Sequence, residues 1–455
     1  MLAWSGLSKA LRSEFGVSLE VKQLYACEID SAKRDVLAAA LPQGCTLFKD
    51  AFELPKGFAT THDESQMIVP AAQWMIAGFP CTSMSSLNVR AKHNRDCLRK
   101  RSAASGSVFG AIIDRMESQA GTLLAMTFEN VPQIATGPPG ASNLDTLIEV
   151  CSEVFCLDVV PWRLCPRDFG SPQSRMRAWM ATCKKGRQHL LESAMNRFTD
   201  RVQMNSLDEY LLTDDDPQLI VMARQACAER AFAVGDYQFA YLSSAGRVVQ
   251  HPKAEKNEGK CKWPQQHAAL AEVRGLCPEQ ETIISEQILL EYPGLGMLTE
   301  RELGALRFAG VTDFPTADSM SVNLEMSGGR VRCSKTGSVW AIVPRSRQYL
   351  TAKCRFMHPI EALAFQGIHL PHSFLGRFER CLLQSLAGNA FETSCCLASL
   401  VASIVGLSHG AAADCIRNTF KLRRVSAHTN LDSEEEGNDS DSDLESVLRV
   451  GVRRT

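Results

Sequence analysis

The stretch Gly78–Ser85 reads GFPCTSMS, and it places a thiol, Cys81, directly behind a proline at the end of the apolar run WMIAGF. Two further polar groups follow comparable runs. Glu129 and Asn130 close LLAMTFENV, and Gln173, Arg175 and Arg177 lead into AWMATC. The thiol is a nucleophile, the carboxyl an acid or base, and the two guanidiniums are fixed positive donors. Taken singly, Cys81 reads as a buried inert cysteine, Glu129 as a capping residue and the arginines as a solvated turn. Taken together, at consecutive strand ends, they predict one cleft built for covalent catalysis.

Elements that could position such groups alternate along the first part of the chain. LEVKQLYACEID, WMIAGF, LLAMTFENV, LDVVPWRL and RAWMATC read as strands. SAKRDVLAAAL, SVFGAIIDRMESQ and LDTLIEVCSEVF carry apolar residues at helical spacing. Strands alternating with helices predict an α/β fold with a parallel sheet covered on both faces. In such sheets, reactive groups collect at the carboxyl ends of the strands, where these residues fall. The rhythm dissolves between about residues 184 and 351. HPIEALAFQGI and CCLASLVASIVGL then read as apolar helices, the second long enough to return to a core. After Arg424 an acidic, serine-rich segment without aromatics is expected to be disordered.

Bulk properties narrow the class little. The chain has 455 residues, 45% hydrophobic and 22% charged, with net charge −2, so composition does not advertise a nucleic-acid binder. No apolar run approaches the roughly 18 residues of a membrane span, and the N-terminal MLAWSGLSKALRSEF is too polar for a secretory signal. The expectation is an intracellular protein without a membrane partner, nuclear in a eukaryote. The 17 cysteines show neither framework spacing nor a CxxC pair and read as reduced. Cys261, His267 and Cys277 come nearest to a metal cluster, but scattered loop residues are the stronger reading, so no metal is expected.

GFPCTSMS, FENV and FGSPQSRMR resemble, in order, three signature blocks of the cytosine-C5 DNA methyltransferase family. CEID (Cys27–Asp30) resembles the acidic strand end that holds the cofactor ribose, and FKDAF the block whose aspartate, here Asp50, meets the adenine. HPIEALAFQG resembles the helix before the last block, and GNAF (Gly388–Phe391) that last block. The resemblance covers roughly residues 1–185 and 350–408. It implies a Rossmann-like methyltransferase sheet in 1–185, with a smaller irregular target-recognition domain in 186–350. Residues 351–408 would return to the catalytic domain, and 409–455 would form the tail.

The implied reaction moves a methyl group from S-adenosylmethionine to cytosine C5 in double-stranded DNA. Cys81 would add at C6, and Glu129, as a protonated carboxyl, would support N3. Arg177 would hold O2, with Arg175 orienting the site. Gly6, Glu28, Ile29, Asp50, Phe79, Pro80 and Asn389 would line the cofactor site. A base inside a duplex is out of reach, so it must be flipped out. The basic stretch SSLNVRAKHNRDCLRKRSAASG suits a loop closing over phosphates. Its Ser85, Arg90, Lys92, Arg99 and Lys100, together with Gln173, are the candidate DNA contacts, although a bland surface loop has the same composition.

Two departures stand out. The family's opening strand and Phe-x-Gly-x-Gly turn have no counterpart before Gly6, so the cofactor site is expected to be half built. Either a longer chain supplies the missing part, or the chain binds nucleic acid or a partner enzyme without turnover. AFETSCC replaces the Val-Pro-rich stretch that commonly follows Gly-Asn. A transfer-RNA substrate is the second enzymatic alternative, because a close branch of the family shares these catalytic residues.

Overall fold

The computed structural model describes residues 22–85, 96–199 and 203–219, and most of 298–407, with residue 221 and the pieces 240–242 and 248–250 between. Gly6, Arg90, Lys92, the cysteine–histidine set at 261–277 and the acidic tail lie outside the described residues. The chain divides into two compact units. The first comprises residues 1–169, 176–203 and 391–455, and the second residues 170–175 and 204–390. Residues 351–390, which the sequence assigns to the catalytic return, therefore belong to the second unit.

In the first unit, β1 (Tyr25–Cys27) leads through α1 (Ser31–Ala40) to β2 (Thr46–Phe48), its parallel partner. Asp30 caps α1 by accepting the Lys33 N–H at 3.2 Å. An antiparallel hairpin follows, β3 (Phe58–Thr60) with β4 (Gln66–Ile68). Then come β5 (Trp74–Gly78), α2 (Ala103–Ser118), β6 (Ala125–Asn130), α3 (Asn143–Val154) and β7 (Leu157–Leu164). The helix α3 starts where the sequence allows a capping box. Ser142 Oγ accepts the Asp145 N–H at 3.1 Å, and Asp145 accepts the Ser142 N–H at 2.9 Å. β6 reads AMTFEN and is buried almost throughout, as a central strand must be.

The short β8 (Gln173–Ser174) belongs to the second unit, and the chain returns to the first in β9 (Arg177–Lys184) and α4 (Gln188–Thr199). The four-stranded sheet has the order β5-β6-β9-β7. It is mixed, and this corrects the parallel sheet expected from the strand–helix rhythm. β5, β6 and β7 run in one direction, and β9, inserted between β6 and β7, runs antiparallel to both. The reason is connectivity: helices carry β5 to β6 and β6 to β7, but no helix of that kind separates β7 from β9, so β9 returns alongside as its antiparallel neighbour. Among the described residues, β1 and β2 form a separate two-stranded sheet. The core between sheet and helices holds Phe79, Phe109 and Phe128 in a tilted chain, with centroids 5.3 and 6.4 Å apart, packed with Met116, Met126, Ile134 and Leu147.

The second unit continues with an antiparallel pair, β10 (Ala240–Leu242) and β11 (Val248–Gln250), followed by α5 (Glu300–Phe308). β12 (Ser321–Asn323) pairs with β14 (Gln348–Leu350), and β14 with β15 (Arg355–Phe356). β13 (Val339–Trp340) lies parallel to β8. Three helices follow, α6 (Pro359–Phe365), α7 (His372–Leu375) and α8 (Arg380–Asn389). Tyr210 stacks on Phe365 at 4.9 Å in this core, and Arg355 makes two bonds to the fully buried Glu361, at 2.8 and 2.9 Å. The last helix, α9 (Thr393–Leu407), belongs to the first unit and packs on β9 and α4. None of the described helices is long and apolar enough to cross a membrane.

Candidate active site

Cys81 is three residues beyond β5, and Glu129 is the penultimate residue of β6. The parallel register Gly78↔Glu129 brings both to the same, carboxyl-terminal, end of adjacent strands. The loop is tied to the strand beside it, since Asn130 Nδ2 donates to the Phe79 carbonyl at 3.1 Å. The Cys81 carbonyl accepts the N–H groups of Met84 and Ser85 at 2.9 and 2.8 Å, a tight turn that leaves the half-buried thiol at its head. Ser83 and Ser105 anchor that turn to α2, with the Ser83 N–H donating to Ser105 Oγ at 3.3 Å. Neither Asn130 nor the serine pair was assigned a role from the sequence. An asparagine following a catalytic-looking glutamate was the available signal for the first.

Arg177, the first residue of β9, places its Nε 3.2 Å from Glu129 Oε1. The two side chains are 17% and 13% exposed, sheltered but open enough to meet a ligand. Arg175 goes elsewhere. It is buried in the second unit, where its guanidinium donates to the carbonyls of Ile342, Gly388 and Ala390, the last two at 3.1 and 3.3 Å. It therefore holds backbone in place. Gly388 has no alternative residue type here, because a β-carbon would lie 2.0 Å from the Pro344 nitrogen. Gln173 is fully buried in β8, and its chain pairs with Val339.

The cofactor candidates fall in three places. Glu28 and Asp50 follow the carboxyl ends of the parallel strands β1 and β2. Glu28 Oε1 accepts the Asp30 N–H and Asp50 Oδ1 the Phe52 N–H, both at 2.9 Å. Both carboxylates reach the Cys27 thiol, which is pushed up to about 12, first by burial and then by Asp50 and Glu28. Beside them Ile29 is 71% exposed and Phe52 46%, an apolar surface next to two acceptors. These acceptors and that surface fit a nucleoside, whose hydroxyls need acceptors and whose base needs an apolar face. Phe79 is in the hydrophobic core, and Pro80 is half-buried beside it. Asn389 ends α8 in the second unit and is exposed. Of the DNA candidates, Ser85 is half-buried in the Cys81 turn. Arg99 pairs with Glu149, and Lys100 with Asp96 at 2.6 Å.

Residues 40–398 match the family described as C-5 cytosine-specific DNA methylase. The chain belongs to this family. Its α/β sheet is the methyltransferase sheet, and the family's chemistry is directed at cytosine C5. A DNA (cytosine-5-)-methyltransferase of Cryptococcus neoformans is 24% identical over 424 residues, which is 90% of this chain but 16% of that protein's length. The chain thus spans about a sixth of this curated relative. A DNA modification methyltransferase encoded within an Escherichia coli prophage is 16% identical, covering 89% of this chain and 96% of its own, with a TM-score of 0.45. A variant of Spodoptera frugiperda DNMT2 is 14% identical, covering 89% and 97%, with a TM-score of 0.37. Superposition at those scores is too loose to transfer a substrate.

Proposed function

We propose that this chain methylates C5 of cytosine in DNA through a covalent adduct at Cys81. The observation that carries the reading is the register Gly78↔Glu129, which sets a thiol turn and a carboxyl–guanidinium pair at one end of two adjacent parallel strands. Cytosine C5 is a poor nucleophile. Addition of the Cys81 thiolate forms a sulfur–C6 bond and pushes electrons toward N3, which makes C5 enamine-like. Glu129 supplies a proton or hydrogen bond at N3, and Arg177 holds both Glu129 and the base O2. S-adenosylmethionine, which Glu28, Ile29 and Asp50 would hold, would supply an electrophilic methyl group to C5, the methyl–sulfonium bond breaking to leave the thioether. Loss of the C5 proton to water then returns the electrons, the sulfur–C6 bond breaks and Cys81 is free again.

Proline at position 80 stiffens the turn and removes an N–H from it, so the thiol is presented rather than folded back. Arg175 acts as a positioning residue, through the backbone it ties together. Arg99 and Lys100 lie on the chain that leaves the Cys81 turn and are the phosphate contacts of this reading. The second unit, taken with residues outside the described set, serves target recognition.

Trapping tests the reading. Duplex DNA containing 5-fluorocytosine cannot lose fluorine from C5, so attack followed by methyl transfer leaves the protein attached. An adduct that requires S-adenosylmethionine and maps to Cys81 is the expected result. No adduct on DNA, with methyl incorporated only into transfer RNA, would overturn the choice of substrate. No adduct or transfer on either would favour a chain that binds without turnover.

A further inference from the structure

Gly78, Glu129, Trp179 and Trp162 form one row across the four-stranded sheet. Gly78 pairs with Glu129, Glu129 with Trp179, and Trp179 with Trp162. Directly paired residues project from the same face. A β-carbon at Gly78 would lie 3.6 Å from Glu129 Oε2, which places the carboxylate on that face. It would also lie 2.6 and 2.8 Å from Cε1 and Cζ of Phe391. The same ring stands edge-on to Trp179, with centroids 5.4 Å apart. One phenylalanine thus reaches both neighbours of Glu129 in the row. Cys396, just inside α9, adds to this wall. Its thiol is pushed up to about 12, first by burial and to a smaller degree by Glu392 and Glu129.

We infer that Phe391, seated on Gly78, is a positioning residue for Glu129: its ring fixes the carboxyl's orientation toward the base and keeps water from its aromatic side. This rests on the reading of Glu129 as the group that supports the base. Gly78 is the complementary half of the device. Glycine is costly inside a strand, and a strand glycine marks a close approach, which here is the Phe391 ring. Two residues from separate sequence blocks thereby share one cause. They are the glycine at the end of β5 and the phenylalanine of GNAFETSCC that departs from the family's usual block. A phenylalanine serving packing alone would leave the ionisation of Glu129 untouched when shortened. A wall would not, because water reaching the carboxylate favours its charged form.

The experiment compares Phe391→Ala, Phe391→Leu and Gly78→Ala with the unaltered chain in two ways. The first is the pH titration of the Glu129 side-chain carboxyl by carbon NMR in glutamate-labelled protein, assigned with Glu129→Gln, with no ligand present. The midpoint is expected to fall by about half a unit or more in Phe391→Ala, and by less in Phe391→Leu, which keeps an apolar wall. The second is the rate of 5-fluorocytosine trapping against pH. Its alkaline limb is expected to move down with the midpoint while DNA affinity stays within about twofold. Folded variants with an unmoved midpoint would overturn the inference, whatever their activity. A moved midpoint in a chain that traps no DNA would leave the contact standing and overturn the catalytic reading instead. If Phe391→Ala does not fold, Phe391→Leu and Gly78→Ala carry the comparison.

Discussion

Each unit contains a sheltered carboxylate–arginine pair, and the two are built to different ends. In the second unit Glu361 is fully buried and takes two bonds from Arg355. It also accepts the N–H groups of Leu212 and His358, at 2.8 and 2.6 Å. Such a pair locks a helix start to its neighbours and leaves no room for a ligand. In the first unit Arg177 Nε lies 3.2 Å from Glu129 Oε1, with both side chains partly exposed. The difference teaches that ionic bonding alone does not mark a site. The candidate site differs in combining a partly exposed pair with a strand end and a nearby thiol.

That contrast can be broken at several points. The largest effect is expected at the nucleophile: Cys81→Ser should lower trapping by about 10⁴-fold or more, because a hydroxyl without an activating base does not add to C6. Comparable trapping by the serine variant would remove Cys81 from the mechanism. Glu129→Gln should follow, losing about 10²–10⁴-fold in rate with an almost unchanged melting temperature and DNA affinity. A loss of melting temperature instead would make Glu129 structural, like Glu361. The mirror experiment is Glu361→Ala, which leaves Arg355 buried and unpaired. It should cost about 3–5 kcal/mol in thermal or urea unfolding, and an unchanged midpoint would make the pair dispensable.

A smaller effect follows from His358, which opens α6 by accepting the Ile360 N–H on Nδ1 at 3.2 Å. Burial, and then the Arg380 and Arg355 charges, hold its pKa down at about 4, against 6.5 when exposed; Asp216 pulls the other way, and His372 adds a little to the lowering. Between those two pH values the unfolded chain binds a proton that the folded one refuses. Stability is therefore complete above about pH 6.5, falls as the pH drops toward 4, and levels below. The loss is of order 3 kcal/mol if the whole shift is realised. Urea unfolding between pH 4 and 7.5 reads this directly, and a His358→Gln variant should flatten that part of the curve. The smallest expected change is at Arg99, whose pair with Glu149 is half exposed. Arg99→Ala should alter stability by about 0.5 kcal/mol or less, yet reduce the salt dependence of DNA binding by about one counterion. An unchanged salt slope would return that arginine to the ordinary surface.

The strands that carry the candidate site were legible because their signal is local. WMIAGF, LLAMTFENV, LDVVPWRL and RAWMATC are short apolar runs, and the structure forms β5, β6 and β7 within them and β9 over the last, running one residue further to Lys184. Capping residues such as Ser142 likewise mark helix starts within a few positions. The family resemblance gives Arg177 the base and Arg175 an orienting role, but nothing local in QSRMR shows what Arg175 would hold. Their separation depends on Arg175 meeting Gly388, 213 positions away, in a different unit from Arg177.

The sequence by itself determined which residue types exist to do the chemistry and which strand ends present them. It did so because apolar periodicity and turn residues act over a handful of positions. Only the tertiary structure decided the antiparallel course of β9, the burial of Gln173, the backbone that Arg175 ties together and the Phe391 ring over Gly78. Those outcomes turn on which distant surfaces pack together, and no short stretch of chain encodes the shape of its partner.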